Sequence, residues 1–463
     1  MGTRDHAISK AAEASSNPAT LFANSEAGHP SSEAGVARPT PGLAKNLTWV
    51  SMLAACVSLM ATWEAFCSTM AAGLISGGPV SLVHGFILAF FGTIATALSL
   101  SEAASMIPSA GGQYHFVAEL SPRSISRPLS WGTGWLTMFG WQSVAASAPF
   151  LAGTMIQGLL VLNDPTYVYE RWHGTLLYWA ILALALVVNI WGMHILPQVE
   201  NATMILHVGL FIVLLVAICV VSPTKNSASF VFSDFENETG WQSNGVAWCI
   251  GMLSSAYVMV GYDGATHLSE EMTDPAIGVP RAMIGSLVIN GTMGFAFLLA
   301  VLFCMGDIAS AYETATGFPI IQMFYTITGS LSAATAMSTA VVLMATLATI
   351  PLVVSAARTL WALARDNAFP FARFLSRVDE KRGIPTLAII TTTLFLALLG
   401  LLNIAATTAF NAILSLFVVG LYLSYLLPVL AILWRRISRP QTLVYGPFKL
   451  GRFGTFLNIV SAL

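Results

Sequence analysis

The sequence predicts an all-α polytopic membrane protein, an inverted five-plus-five helix repeat with broken first and sixth spans. Three observations carry this reading. Of 463 residues, 56% are hydrophobic and only 9% charged, with a mean hydropathy of +0.74, whereas soluble domains carry about 25% charged residues. Apolar stretches of bilayer-crossing length recur in two blocks of five, on either side of a polar interval from Ser222 to Gly245. Each block opens on a span that an acidic residue interrupts.

Residues 1–44 are rich in Ala, Ser, Glu, Gly and Pro with no sustained apolar run, the composition of a disordered tail. The tail lacks the positive-then-apolar layout of a cleaved signal, so the first span is expected to act as an uncleaved anchor. Stretches of about 20 apolar residues cross a bilayer as helix. In the first repeat, 45–222, they are expected at 49–75, 81–107, 131–160, 174–196 and 201–222. After an outside loop at 223–245 the second repeat, 246–434, places them at 246–269, 282–305, 331–363, 386–403 and 408–434. The segment 435–463 reads as a basic inner loop and the start of an eleventh span, expected to be truncated. An odd number of spans per block turns the second copy upside down relative to the first.

Cytoplasmic loops are enriched in Lys and Arg. With a cytoplasmic N-terminus, only Arg171 and Lys225 of the 20 basic residues fall outside, so that orientation is expected. It leaves Asn237, in the segment NET, as an outside glycosylation sequon, with Asn46 and Asn201 inside and Asn290 within a span.

Composition also excludes classes. A net charge of -2 with no basic stripe gives no nucleic-acid partner, and the five cysteines lie in or beside apolar segments without metal-ligand spacing. No P-loop, zinc pattern or nucleophile elbow occurs. Neither an enzyme nor a nucleotide-driven pump is expected, and no cofactor or metal.

The informative segments are the two interrupted spans. Gly261 to Glu271 reads GYDGATHLSEE, an aspartate, two glycines and a histidine after an almost purely apolar flank. An ionisable side chain at membrane depth faces a cavity or a partner, and glycines let the helix unwind where it lines a pocket. Span one carries TWEAFCSTM, with Glu64 among apolar neighbours. Gly261, Tyr262, Asp263, Gly264, Trp63, Glu64 and Phe66 are therefore candidate solute-binding residues. The plainer readings are helix capping for the acids and packing for the aromatics. His267, one turn after Asp263, and His207 in span five are candidates for proton handling, against the commoner structural histidine. Glu102, Glu270, Glu271, Arg281 and Arg358 fall at inner span ends, where they serve either as a gate network or as solvated caps.

A resemblance adds to this. SEAASMIPSAGGQYHFVAELSPR (Ser101–Arg123), YDGATHLSEEMTDPAIGVPRAM (Tyr262–Met283), RTLWALARDNAFPF after span eight and GPFKLGRFGTFLN before span eleven resemble the amino acid-polyamine-organocation transporters. Within them, the match is to the fungal branch of amino acid, GABA and choline permeases, and it runs from about Thr48 to the last residue. It implies a LeuT-like fold, a midplane site between the broken spans, alternating access, a plasma-membrane location and a possible coupling proton. It also implies twelve spans in complete members. Ser355 in span eight would take the place of a cation ligand, and His207 the place where relatives put a basic group. Members commonly hold a substrate carboxylate on a glycine-rich break in span one; here that position has no glycine and carries Glu64. This departure turns the expectation towards an amine whose positive charge is the main handle, with choline beside GABA and amino acids. A channel and a non-transporting nutrient sensor are the alternative classes.

Overall fold

The computed structural model describes Leu43, residues 45–307 and residues 314–463, the side chains of 407–415 excepted. The expected tail therefore lies outside the described residues, Leu43 and Lys45 onward apart. Nine helices among the described residues are long and apolar enough to cross a membrane: Trp49–Ile75, Gly78–Met106, Ser126–Asn163, Arg171–Trp191, Leu196–Val221, Pro275–Cys304, Leu331–Arg365, Thr386–Ala405 and Leu416–Ser438. Span six completes the order but is interrupted. It is helical over Asn244–Tyr257, unwound to Asp263, and resumes as a single turn, Gly264–His267. Helix Gly454–Ala462 follows at the end of the chain.

Span one is broken too, into Trp49–Met60 and Thr62–Ile75 around Ala61, whose φ of 42° and ψ of 48° are left-handed. A non-glycine residue in this region costs roughly 1–2 kcal/mol, and it persists because neighbours over-determine it. Thr62 Oγ1 donates to the Val258 carbonyl at 2.8 Å, stitching the break of span one to that of span six. Asn290 of span seven accepts from the Thr62 amide at 3.4 Å and donates to the Val57 carbonyl at 3.2 Å. The orphaned backbone groups of the break are thus satisfied from inside the protein, as a bilayer demands.

In span six the break uses glycine. Gly261 has φ 109°, a conformation open to glycine alone among ordinary residues. Gly264 lets the resumed turn pack closely, since a Cβ there would lie 2.8 Å from Leu59 and 3.1 Å from Trp141. Leu47 donates to the Glu271 carbonyl at 3.0 Å, so the entry to span one and the exit from span six are also tied together.

Burial separates core spans from rim spans. The apolar windows of spans one, three and eight are 83%, 72% and 78% buried, against 22% for span five. Span five accordingly turns a single stripe inward, Leu196, Glu200, Thr203, His207, Phe211, Leu214 and Ile218. Its remaining surface carries exposed Ile205, Val213 and Val220, the side chains a lipid-facing surface needs.

Candidate functional site

A cavity of about 40 Å³ lies beside the break in span one. A water needs about 10–15 Å³ of such space, so the cavity takes only a few waters and a solute of several carbons fits only if the walls move. From span one it is lined by Ala61, Glu64, Ala65 and Ser68, the spacing of one helix face. Ser147 of span three and Ala348 of span eight contribute small side chains. Tyr257, where span six stops being helical, and Phe417 of span ten close it, their rings edge to face at 4.7 Å.

Glu64 is buried, and its Oε1 lies 2.7 Å from His207 Nδ1. Its Oε2 and His207 Nε2 have no hydrogen-bond partner among the described residues. The other predicted aromatics of span one sit on a different helix face from the cavity. Trp63 packs against the His207 and Phe297 rings at 5.8 and 5.6 Å, and Phe66 stacks on Phe86 at 5.5 Å. Tyr262 is buried against Tyr425, with ring centroids 5.3 Å apart.

Asp263 is the centre of a closed hydrogen-bond set. Oδ2 accepts from Gln113 Nε2 at 2.6 Å and Trp141 Nε1 at 3.0 Å, and Oδ1 accepts from the Tyr425 hydroxyl at 2.6 Å. His267 Nε2 stands 3.4 Å from Oδ2, while its Nδ1–H donates to the Ala110 carbonyl at 3.0 Å. The carboxylate thus joins span six to span three, span ten and the short helix Gln113–Leu120. Ser355 is buried with its hydroxyl unpartnered among the described residues, one turn beyond Leu352, which lines the cavity, and is not itself a lining residue.

Three of the predicted gate residues meet at one end of the bundle. Glu270 accepts from Arg365 Nη1 at 2.7 and 2.9 Å and from the Ala110 amide at 3.1 Å. Glu271 pairs with Arg358, which is fully buried in span eight. Asp366 extends the cluster, accepting from Tyr114 at 2.7 Å and lying 2.6 Å from His115 Nε2. Burial pushes the Asp366 carboxyl up, but the hydrogen bond and charge of His115, the Tyr114 hydroxyl and Arg365 outweigh it and hold it below the usual carboxylate range. Burial, reinforced by Asp366, pushes the Tyr114 phenol well up. Glu102 lies elsewhere, against Arg436 and the Leu450 amide. Arg281 is exposed and pairs with no carboxylate among the described residues.

The profile of the amino acid permease family matches residues 47–463. The chain belongs to that family. A Macrophomina phaseolina protein described as an amino acid/polyamine transporter is 34% identical, covering 87% of this chain and 89% of its own. The choline transporter of Saccharomyces cerevisiae is 30% identical, over 90% of this chain and 74% of its own. Amino-acid permease 2 of Neurospora crassa is 26% identical, over 98% and 83%.

This permease is an integral membrane protein of a transporter family rather than an enzyme. Several of its site residues escape sequence reasoning. Tyr257 and Phe417 give no local signal, because their shared task depends on where two distant spans cross. Asn290 shows only as a sequon. Gln113, His115 and Asp366 do lie inside the family-like segments GGQYH and ARDN, which could have drawn attention to them.

Proposed function

We propose that this permease imports a small amine-bearing solute by alternating access, coupled to protons, with its N-terminus cytosolic in a plasma membrane. The observation that carries the reading is Glu64: it lines the cavity with one oxygen against His207 and the other unpartnered, while Tyr257 and Phe417 stand among the facing walls. A carboxylate in a cavity that two aromatic rings also line suits an ammonium group, an aromatic face contributing about 0.5–2 kcal/mol.

Glu64 also sits in the first turn of the second half of span one, where the helix dipole favours negative charge. The place an external carboxylate would take is thereby filled from within the chain. Choline, which has no carboxylate, therefore fits better than an amino acid, in keeping with the choline transporter among the relatives. GABA remains the second reading, because the unwound backbone from Val258 to Asp263 offers groups that could meet its remote carboxylate.

In this reading Asp263 holds the broken span in place, Glu64 and His207 handle solute and proton, and the Glu270–Arg365 and Glu271–Arg358 pairs close the cytoplasmic side. Uptake of labelled choline, GABA and amino acids into a permease-deficient host, with a pH step and an ionophore, tests it. Saturable choline uptake that falls when the proton gradient is collapsed is expected. Uptake indifferent to the gradient would remove proton coupling, and no saturable uptake of any amine would favour a nutrient sensor.

A further inference from the structure

The buried stripe of span five carries two ionisable residues, His207 and Glu200. Seven residues separate them, about 10 Å along the axis, with buried Thr203 between. Both Glu200 oxygens are buried, and the polar group beside them among the described residues is the Ser58 hydroxyl of span one, with no cation in reach. This sets Glu200 apart: Glu102, Asp263, Glu270 and Glu271 each hold a cation or several donors. A carboxyl at membrane depth without a cation partner is expensive to keep and marks function.

The titratable and charged groups brought by the elements packed on span five do not neutralise it. Span one brings Cys56, Glu64 and Cys67; Glu64 faces His207, and Cys67 Sγ bonds the Trp63 carbonyl. Arg281 of span seven and Tyr325 of helix Pro319–Thr328 are exposed, and Cys304 lies beside Lys225. Arg358 and Arg365 of span eight are held by Glu271 and Glu270. Cys56 is a buried thiol near Glu200 and supplies no charge to it.

We propose that Glu64, His207 and Glu200 form a proton path along span five, with Glu200 as the inner acceptor. The inference rests on the permease reading and its orientation, which puts Leu196, one turn from Glu200, at the cytoplasmic end. A cationic solute arriving at Glu64 favours its ionised form, so the Glu64 O–H breaks as an N–H forms at His207 Nδ1. The N–H at His207 Nε2 then breaks as an O–H forms at Glu200, across the gap by way of the Thr203 hydroxyl or water. Glu200 releases the proton to cytosolic water.

The test uses the full chain reconstituted in liposomes, with labelled choline and labelled GABA as probes. Counterflow, which needs no net proton movement, is compared with accumulation driven by an imposed proton gradient. Glu200→Gln should keep counterflow and lose accumulation about a hundredfold, the low end for one proton-transfer group, whereas Glu200→Asp should keep both. Normal accumulation by Glu200→Gln with an unchanged pH profile would overturn the path. Equal loss of counterflow and accumulation, in a variant that elutes as a folded monodisperse protein, would also overturn it by assigning Glu200 a structural role. Wild-type protein without counterflow of either solute would overturn the permease reading itself, and the path with it.

Discussion

Replacing Asp263 separates a residue that holds the fold from one that touches solute. Its carboxylate accepts three hydrogen bonds, from Gln113, Trp141 and Tyr425, at 2.6, 3.0 and 2.6 Å. Bonds to an ionised group contribute about 1.5–3 kcal/mol each and neutral ones about 0.5–1.5. Asp263→Asn keeps an acceptor for Trp141 and Gln113, and the Tyr425 hydroxyl can turn to accept from the new amide. Each bond then weakens by about 1 kcal/mol, and relief from burying a charge returns part of the sum, so the expected loss is about 2 kcal/mol. Asp263→Leu has no acceptor and leaves three buried donors unpaired at about 1–3 kcal/mol each, an expected loss of about 5 kcal/mol. Thermal unfolding of the detergent-purified protein, followed by tryptophan fluorescence, should rank wild type above Asn above Leu. Equilibrium binding of labelled choline to the folded Asn variant should stay close to wild type. An Asn variant that melts with wild type yet binds no choline would refute the reasoning and make Asp263 a solute ligand.

Other predictions follow from the same geometry. Glu64→Gln should raise the choline KM about tenfold, the equivalent of 1.4 kcal/mol, and the GABA KM less; equal effects in labelled uptake would count against the charge argument. Ala61→Gly removes left-handed strain at φ 42° and should stabilise by up to about 1 kcal/mol, read as a higher melting temperature. Because the folded Asp366 carboxyl is held below its usual range, its contribution is complete above the unfolded value, about 3.9, and is lost as pH falls through the lower folded one. The melting temperature should therefore fall between pH 5 and pH 3 less steeply in Asp366→Asn than in wild type.

Legibility differed between the two broken spans. Gly261 announces its turn in the sequence, since glycine is the residue that takes φ near 109° at little cost. Ala61 announces nothing. Only the repeat argument, which pairs span one with span six, led to a break near Glu64, and the residues that hold it open come from spans six and seven. Glu270, Glu271 and Arg358 were readable as a cluster at one end of the bundle because each lies at or near a span end. Glu102 shares that feature but meets Arg436 instead, since its partner is decided by which loop folds over it.

The sequence by itself determined where the chain crosses the membrane and which spans carry acids. Hydropathy over some 20 residues is a local property, and the price of a charge in lipid makes every buried acid conspicuous. Tertiary structure alone decided which way each helix faces. A rotation of span one by 100° per residue separates Glu64 and Ser68, which line the cavity, from Trp63 and Phe66, which pack behind it. The same crossing of helices surrounded Asp263 with three donors and gave Glu200 the Ser58 hydroxyl and no cation, because hydrogen-bond partners at membrane depth come from other spans and not from neighbours in the chain.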